Sequence, residues 1–244
     1  MEPLNHYLFI DIETVSGVAE YTQLSPGMQG EWRRKAMTKF GEDADSETIF
    51  GERSGIFAEF GKIVCISIGC LHQQEGSWKL LLRSFSGDNE KQLLEEYCTS
   101  ISRFHGKHSD LTFVGHNLIE FDLPYISRRM IINGMSLPNC MNFQGRKPWE
   151  VKDRVKDTMQ IWSFGDYKSF TRLSLLAEVL GIPSPKNDIS GEDVTRVYWQ
   201  EHDLPRIVTY CQKDVETTAR VFLRLMCCEL DFTAEILQDQ VGAA

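Results

Sequence analysis

Tyr7-Leu8-Phe9-Ile10-Asp11-Ile12-Glu13-Thr14 begins with four apolar residues and then sets two acids among apolar neighbours. The run from Tyr7 to Ile10 reads as a buried strand that stops at Asp11. Side chains two apart on a strand share a face, so Asp11 and Glu13 are expected side by side at its end. Two like charges in an apolar setting repel each other and lose water. A divalent cation between them removes that difficulty; two solvated carboxylates at a strand end are the plainer alternative.

Outward from this strand, residues 17–61 are polar and read as an insertion lying over the surface, with helices near 31–40 and 55–60 and an acidic linker between them. Residues 63–68 and 78–85 read as strands joined by a turn at 73–77, a hairpin. Asp88 is placed to cap a helix running to about Phe104. Residues 111–114 read as a strand, and a helix from about Leu123 ends before Gly134. Residues 139–152 read as a loop, 155–161 as a short strand, 173–180 as a helix ended by Gly181 and Pro183, and 190–199 as another helix. Asp203 followed by Pro205 opens the last long helix. Strands first and mixed elements afterwards predict one α/β domain over 1–244.

Two further carboxylate-bearing segments follow. His116-Asn117-Leu118-Ile119-Glu120-Phe121-Asp122-Leu123-Pro124 comes after a strand and puts Asp122 at a helix start, where it could equally be an N-cap. Tyr210 and Asp214 are four apart in the last helix, on one face; a surface aspartate beside a core tyrosine has the same spacing. Asp11, Glu13, Asp122 and Asp214 together form a set of hard oxygen donors suited to Mg²⁺ or Mn²⁺. Two such ions about 4 Å apart clamp a phosphodiester during in-line displacement.

The ordered motifs Asp11-Ile12-Glu13-Thr14, His116-Asn117 with Phe121-Asp122-Leu123-Pro124-Tyr125, and Tyr210-Cys211-Gln212-Lys213-Asp214 resemble those of the DEDD exonuclease superfamily, tyrosine subclass. The resemblance is nearest to the exonuclease domain of family-B DNA polymerases and its stand-alone relatives. It implies a ribonuclease H-like (DnaQ-like) α/β fold with a central mixed sheet flanked by helices, and 3′-5′ hydrolysis of terminal phosphodiesters, with single-stranded DNA favoured over RNA. It also implies two Mg²⁺ or Mn²⁺ ions per site and a DNA polymerase or repair complex as partner. Asp11, Glu13 and Asp214 would hold one ion; Asp11 would reach the second, aided by Asp122. Tyr210 would orient the attacking water, and Asn117 would support substrate or site. Thr14 and Phe121 are further substrate-binding candidates. RNA trimming, or a silent nucleic-acid-binding protein on the same fold, are the rival readings.

Other features weigh less. Asp157, in Lys156-Asp157-Thr158-Met159, is expected to be structural, and His116 to be a satisfied loop histidine; His202 is the other histidine near the last motif. Trp32-Arg33-Arg34-Lys35, Arg128-Arg129, Arg146-Lys147 with Trp149, and Lys168 with Arg172 could follow a strand or simply face water. The formal charge of −9 opposes a nucleic-acid partner, but bound metal ions reverse the sign locally. Seven cysteines without a C-x-x-C pair predict buried thiols, not a disulfide framework or zinc site. The opening Met1-Glu2-Pro3-Leu4-Asn5-His6 has no basic n-region, so no signal peptide is expected and the cytoplasm is the expected compartment.

Overall fold

The computed structural model describes residues 4–166, 170–183 and 188–237. Lys168 lies outside the described residues. These residues form one six-stranded mixed sheet in the order β5-β4-β1-β2-β3-β6. Strand β1 (Tyr7–Ser16) is antiparallel to β2 (Gly61–Gln74), which is antiparallel to β3 (Ser77–Ser86). Strands β4 (Thr112–Gly115) and β5 (Val155–Asp157) add parallel to β1 on one side, and β6 (Phe232–Ile236) adds parallel to β3 on the other.

β1 does not stop at Asp11. Its ladder with β2 continues through Asp11↔Ser67 to Ser16↔Gly61, with an irregularity between Glu13 and Thr14. A polar side chain leaves backbone pairing untouched, so the acids sit inside the strand and not at its end. The β2–β3 hairpin turns on Glu75 and Gly76, with φ of 51° and 82°. Positive φ at both central residues matches the right-handed twist of the strands.

Between β1 and β2 the chain forms α1 (Pro26–Phe40), α2 (Thr48–Arg53) and a 3-10 turn (Ser54–Ile56). Helix α1 starts earlier than 31 because Ser25 caps it, accepting from Met28 N, with Pro26 in the first turn. The helix expected near 55–60 is instead α2, ahead of it; Gly55 lies in the 3-10 turn, where an added Cβ would sit 3.0 Å from the Val15 carbonyl carbon. Trp32 is fully buried, packed edge-on against Phe50, Phe57 and Phe60, and its indole N–H donates to Ser46 O at 2.7 Å. It is therefore a core residue of this segment and offers no face to a base.

Helix α3 (Glu90–Lys107) is capped by Asn89, which accepts from Gln92 N at 3.2 Å. Asp88, the expected cap, instead accepts from the Tyr198 hydroxyl at 2.5 Å. Helix α4 (Asp122–Ile132) packs on the same sheet face as α3 around Leu8, Ile10, Ile12 and Ile66. Residues 155–161 are not one strand: β5 ends at Asp157, whose carboxylate accepts from Met159 N and starts α5 (Thr158–Ser163). Then come α6 (Leu173–Val179), α7 (Val194–Arg196), a π-type turn (Val197–Glu201) and the long α8 (Leu204–Leu225). The helix expected over 190–199 is thus confined to 194–201. Asp203 caps α8 as expected, accepting from Arg206 N. Ile207, Cys211, Val215 and Ala219 form its buried i, i+4 ridge against the other face of the sheet. Among the described residues no helix is long and apolar enough to cross a membrane.

Arg128-Arg129 splits into two different residues. Arg129 is tied to Glu90 at 2.5 Å and donates to Ala58 O at 2.8 Å. Glu90, itself buried, also accepts from Ile63 N and Asn133 Nδ2. Arg128 is exposed. Removing one member of a buried pair leaves an uncompensated charge and costs about 3–5 kcal/mol. Arg129→Ala is therefore expected to lower the free energy of unfolding by that amount in urea titration, and Arg128→Ala to stay within about 0.5 kcal/mol of wild type. Equal small losses would show that Arg129 is not a structural tie.

Candidate active site

Along β1, Tyr7 and Phe9 pack edge-on against Phe222 of α8, and Val15 packs with Ile207 and Cys211. By alternation, Asp11 and Glu13 lie on that same face, between the two apolar patches. The opening comes from the sheet itself. β4 pairs with β1 only over Tyr7–Phe9, so beyond Phe9 that edge of β1 has no neighbouring strand. Asp122, first residue of α4, supplies the missing partner: its Oδ1 accepts from Ile12 N at 3.1 Å. Asp122 is not an N-cap; Phe121 holds the cap position and makes no side-chain cap bond.

α8 crosses over the acids. Cys211, on the buried ridge, donates its thiol hydrogen to Asp11, with Sγ 3.4 Å from both the main-chain O and Oδ2. Ligand atoms of Asp11, Glu13 and Cys211 lie within 4.8 Å of one another. Asp214 is beside them and accepts a hydrogen bond from the Tyr210 hydroxyl. The structure thus gathers Asp11, Glu13, Asp122, Tyr210 and Asp214 at one place. Cys211 was not singled out by its sequence motif, although its place on the α8 ridge, one residue from Tyr210, carries the signal.

The electrostatics follow from burial. Asp11 and Glu13 are held well above the usual carboxylate range, first by burial and then by the neighbouring acids. Burial, with Asp157 nearby, pushes Asp122 up to about 7. Burial pushes Asp214 up to about 6, against the opposing effects of Tyr210 and Lys213. The Tyr210 phenol is raised by burial and by Asp214, Glu13 and Asp11, so it keeps its proton at neutral pH. Among the described residues none of the four carboxylates forms an ion pair with Lys, Arg or His. Crowded oxygen donors without a protein cation fit a hard divalent ion.

The surrounding residues have defined places. Asp157 accepts from Asn117 N, Ile119 N and Met159 N at 2.9, 3.0 and 3.0 Å, so it shapes the turn that leads to Asp122. Asn117 sits in that turn with φ of 62°. His116 is satisfied at both nitrogens, by Thr158 Oγ1 at 2.9 Å and Thr171 O at 2.8 Å, and burial lowers its pKa. Phe121 is half-buried with its ring 5.4 Å from that of Tyr125. Thr14 is half-buried and hydrogen-bonded to the Tyr125 hydroxyl. His202 is exposed, with φ of 54°, at the end of the π-type turn.

The six-stranded α/β sheet that carries the acids on β1 has a counterpart among solved structures. The structure resembles the family-B DNA polymerase from the hyperthermophilic archaeon Pyrobaculum calidifontis, with a TM-score of 0.55 and 16% identity, over 90% of this chain and 24% of that one. The fold is accordingly a ribonuclease H-like α/β fold, a mixed six-stranded sheet flanked by helices. No curated protein matches the sequence. Residues 56–243 match the family described as "Predicted 3'-5' exonuclease related to the exonuclease domain of PolB", and the chain belongs to that family of 3′-5′ exonucleases. The matched span contains Asp122, Tyr210 and Asp214; Asp11 and Glu13 lie before it and reach the site through β1.

Raised carboxyl pKa values have a stability consequence. Such groups bind protons more tightly folded than unfolded, so they favour folding below the unfolded value of about 3.9. That contribution is lost as pH rises through the folded values, about 6 for Asp214 and about 7 for Asp122. Asp122→Asn keeps an oxygen for Ile12 N and removes the charge. In chelator-treated protein its Tm should exceed that of wild type above neutrality, with the gap closing toward about pH 4. A gap that is constant with pH would mean that Asp122 carries no such penalty.

Proposed function

We propose that the protein removes nucleotides singly from the 3′ end of a nucleic-acid strand, single-stranded DNA ahead of RNA, releasing nucleoside 5′-monophosphates. The observation that carries this reading is the convergence of Asp11, Glu13, Asp122 and Asp214 beside Tyr210, none of them held in an ion pair among the described residues. The kinship with the polymerase exonuclease domain supports DNA as the substrate. It also supports work alongside a polymerase or in end repair.

Asp11, Glu13 and Asp214 would hold one Mg²⁺ or Mn²⁺, and Asp11 with Asp122 a second. When bound, such ions supply charge stabilisation and lower the pKa of water. The chain's own residues set the geometry. Cys211 fixes the Asp11 carboxylate by donating to Oδ2. Ile12 N fixes Asp122. Tyr210, protonated and hydrogen-bonded to Asp214, positions water through its hydroxyl and does not act as a base. Asp157 acts at one remove, holding the turn at 117–119.

A 5′-labelled strand should yield a descending ladder with Mg²⁺ or Mn²⁺, none with chelator, and none when the 3′ end is blocked. Matched RNA should be cut more slowly. Cleavage of a closed circle, or activity without metal, would refute the proposal.

Tyr210→Phe should leave the ring packed and slow single-turnover hydrolysis by about 10²–10⁴-fold, the range for positioned acid, base or orienting groups. Strand affinity measured in Ca²⁺ should barely change. Asp11→Ala should cost at least as much, and Asp157→Ala far less. A wild-type rate for Tyr210→Phe would reduce Tyr210 to a packing residue.

A further inference from the structure

The acids solve the problem of one phosphate and worsen it for the rest of the strand. A chain of net charge −9 that holds a polyanion needs free cations close to its acidic centre. Several arginines are spent on the chain's own carboxylates: Arg34 on Glu31, Arg129 on Glu90, Arg196 on Asp193, Arg206 on Asp188, Arg220 on Glu216. Arg128 and Arg146 are not. Both are exposed, and neither has an ion pair or side-chain hydrogen bond among the described residues.

These two arginines line the same cavity, about 320 Å³ in volume, between α4, β5 and the loop over 137–151. The cavity is lined by Leu123, Ile131, Leu137 and Phe143. Leu123 follows Asp122 directly in α4, and Arg128 stands six residues beyond Asp122, roughly 9 Å of helix. Beyond Arg146 on the same loop, Trp149 is 63% exposed with the Lys147 ammonium 5.0 Å from its ring. An apolar, aromatic recess suits the face of a nucleobase. Two free guanidinium groups at its rim suit phosphate oxygens, which they can grip bidentately. The volume falls within the range of small-ligand sites.

We propose that this cavity is a substrate subsite, taking a base of the strand upstream of its scissile end on the apolar floor and the adjoining phosphates on Arg128 and Arg146. The proposal rests on the exonuclease reading, and charge complementarity selects a nucleic-acid strand over an apolar protein segment as its occupant.

The test is binding, by fluorescence anisotropy in Ca²⁺, of a deoxythymidine dodecamer and, by its competition, of deoxythymidine 5′-monophosphate, which has no upstream nucleotide. The variants are the double Arg128→Gln/Arg146→Gln and, separately, Ser127→Phe, which fills the cavity. Dodecamer affinity of the double variant should fall at least tenfold, with mononucleotide binding as in wild type. Each single-strand phosphate that is no longer neutralised by an arginine flattens the plot of log affinity against log salt by about 0.7, so the slope should lessen by about 1.4. Ser127→Phe should weaken dodecamer binding and leave the salt slope alone. Because Arg128 and Arg146 are exposed, the double variant folds normally and decides the matter even where Ser127→Phe does not fold. A double variant that binds the dodecamer within about twofold of wild type and with its salt slope would overturn the proposal and leave the cavity to a protein partner. So would a wild-type protein that does not bind the dodecamer. Absence of hydrolysis by wild type would instead overturn the exonuclease reading, while affinity and slope still judge the subsite.

Discussion

The hydrogen bond from Ile12 N to Asp122 Oδ1 is the joint on which the site depends. β1 is the central strand, yet its β4 neighbour leaves it after Phe9. A buried backbone N–H cannot be left without an acceptor cheaply. A carboxylate at the head of α4 meets that need, and in doing so brings a third acid to the two that β1 already carries. Backbone satisfaction and site assembly are the same contact.

The cost appears in the titration. Four crowded carboxylates, Glu13 and Asp122 buried and Asp11 and Asp214 half-buried, without an ion pair among the described residues, hold their protons to higher pH than free ones do. The fold is stiff enough to keep them together because each rides on a well-anchored element. β1 is laddered to β2 on its other edge. α8 is pinned by its Ile207, Cys211, Val215 and Ala219 ridge, and α4 by the Glu90–Arg129 pair. The Asp157 carboxylate does the same for the turn before Asp122.

Features set by local chemistry were legible in the sequence. A short apolar run located β1, two strand-like runs about a turn located the β2–β3 hairpin, and Asp203 with Pro205 located the start of α8. The i, i+4 spacing of Tyr210 and Asp214 put both on one helix face, as the structure has them. Features set by partners were not legible. That β1 runs on to Ser16 depends on β2, not on the side chains of Asp11 and Glu13. β6 escaped notice because only Phe232 in it is buried; an edge strand with one paired side shows no alternation. Asp122 looked like a cap because Asp-Leu-Pro is a capping pattern, and only the missing strand beside Ile12 draws it elsewhere. Arg129 and Trp32 looked available to nucleic acid because their internal partners, Glu90 and Ser46, are remote in sequence.

The segment between β1 and β2 leaves and re-enters the sheet at a closed gate: Ser16 faces Gly61 in register, and Gly17 N donates to Phe60 O at 2.8 Å. Chain growth inside such a gate is thermodynamically light, about 0.6 kcal/mol for each doubling of length. One further tie crosses it, from the Tyr125 hydroxyl on α4 to Gly55 O at 2.7 Å. At Gly61 any side chain would collide with that hydroxyl. The segment is therefore a cassette with three fixed terminals, Ser16, Gly61 and Gly55. Outside the Trp32, Phe50, Phe57 and Phe60 cluster its length can vary cheaply, whereas a shift at Gly55 would pull on the helix that begins with Asp122.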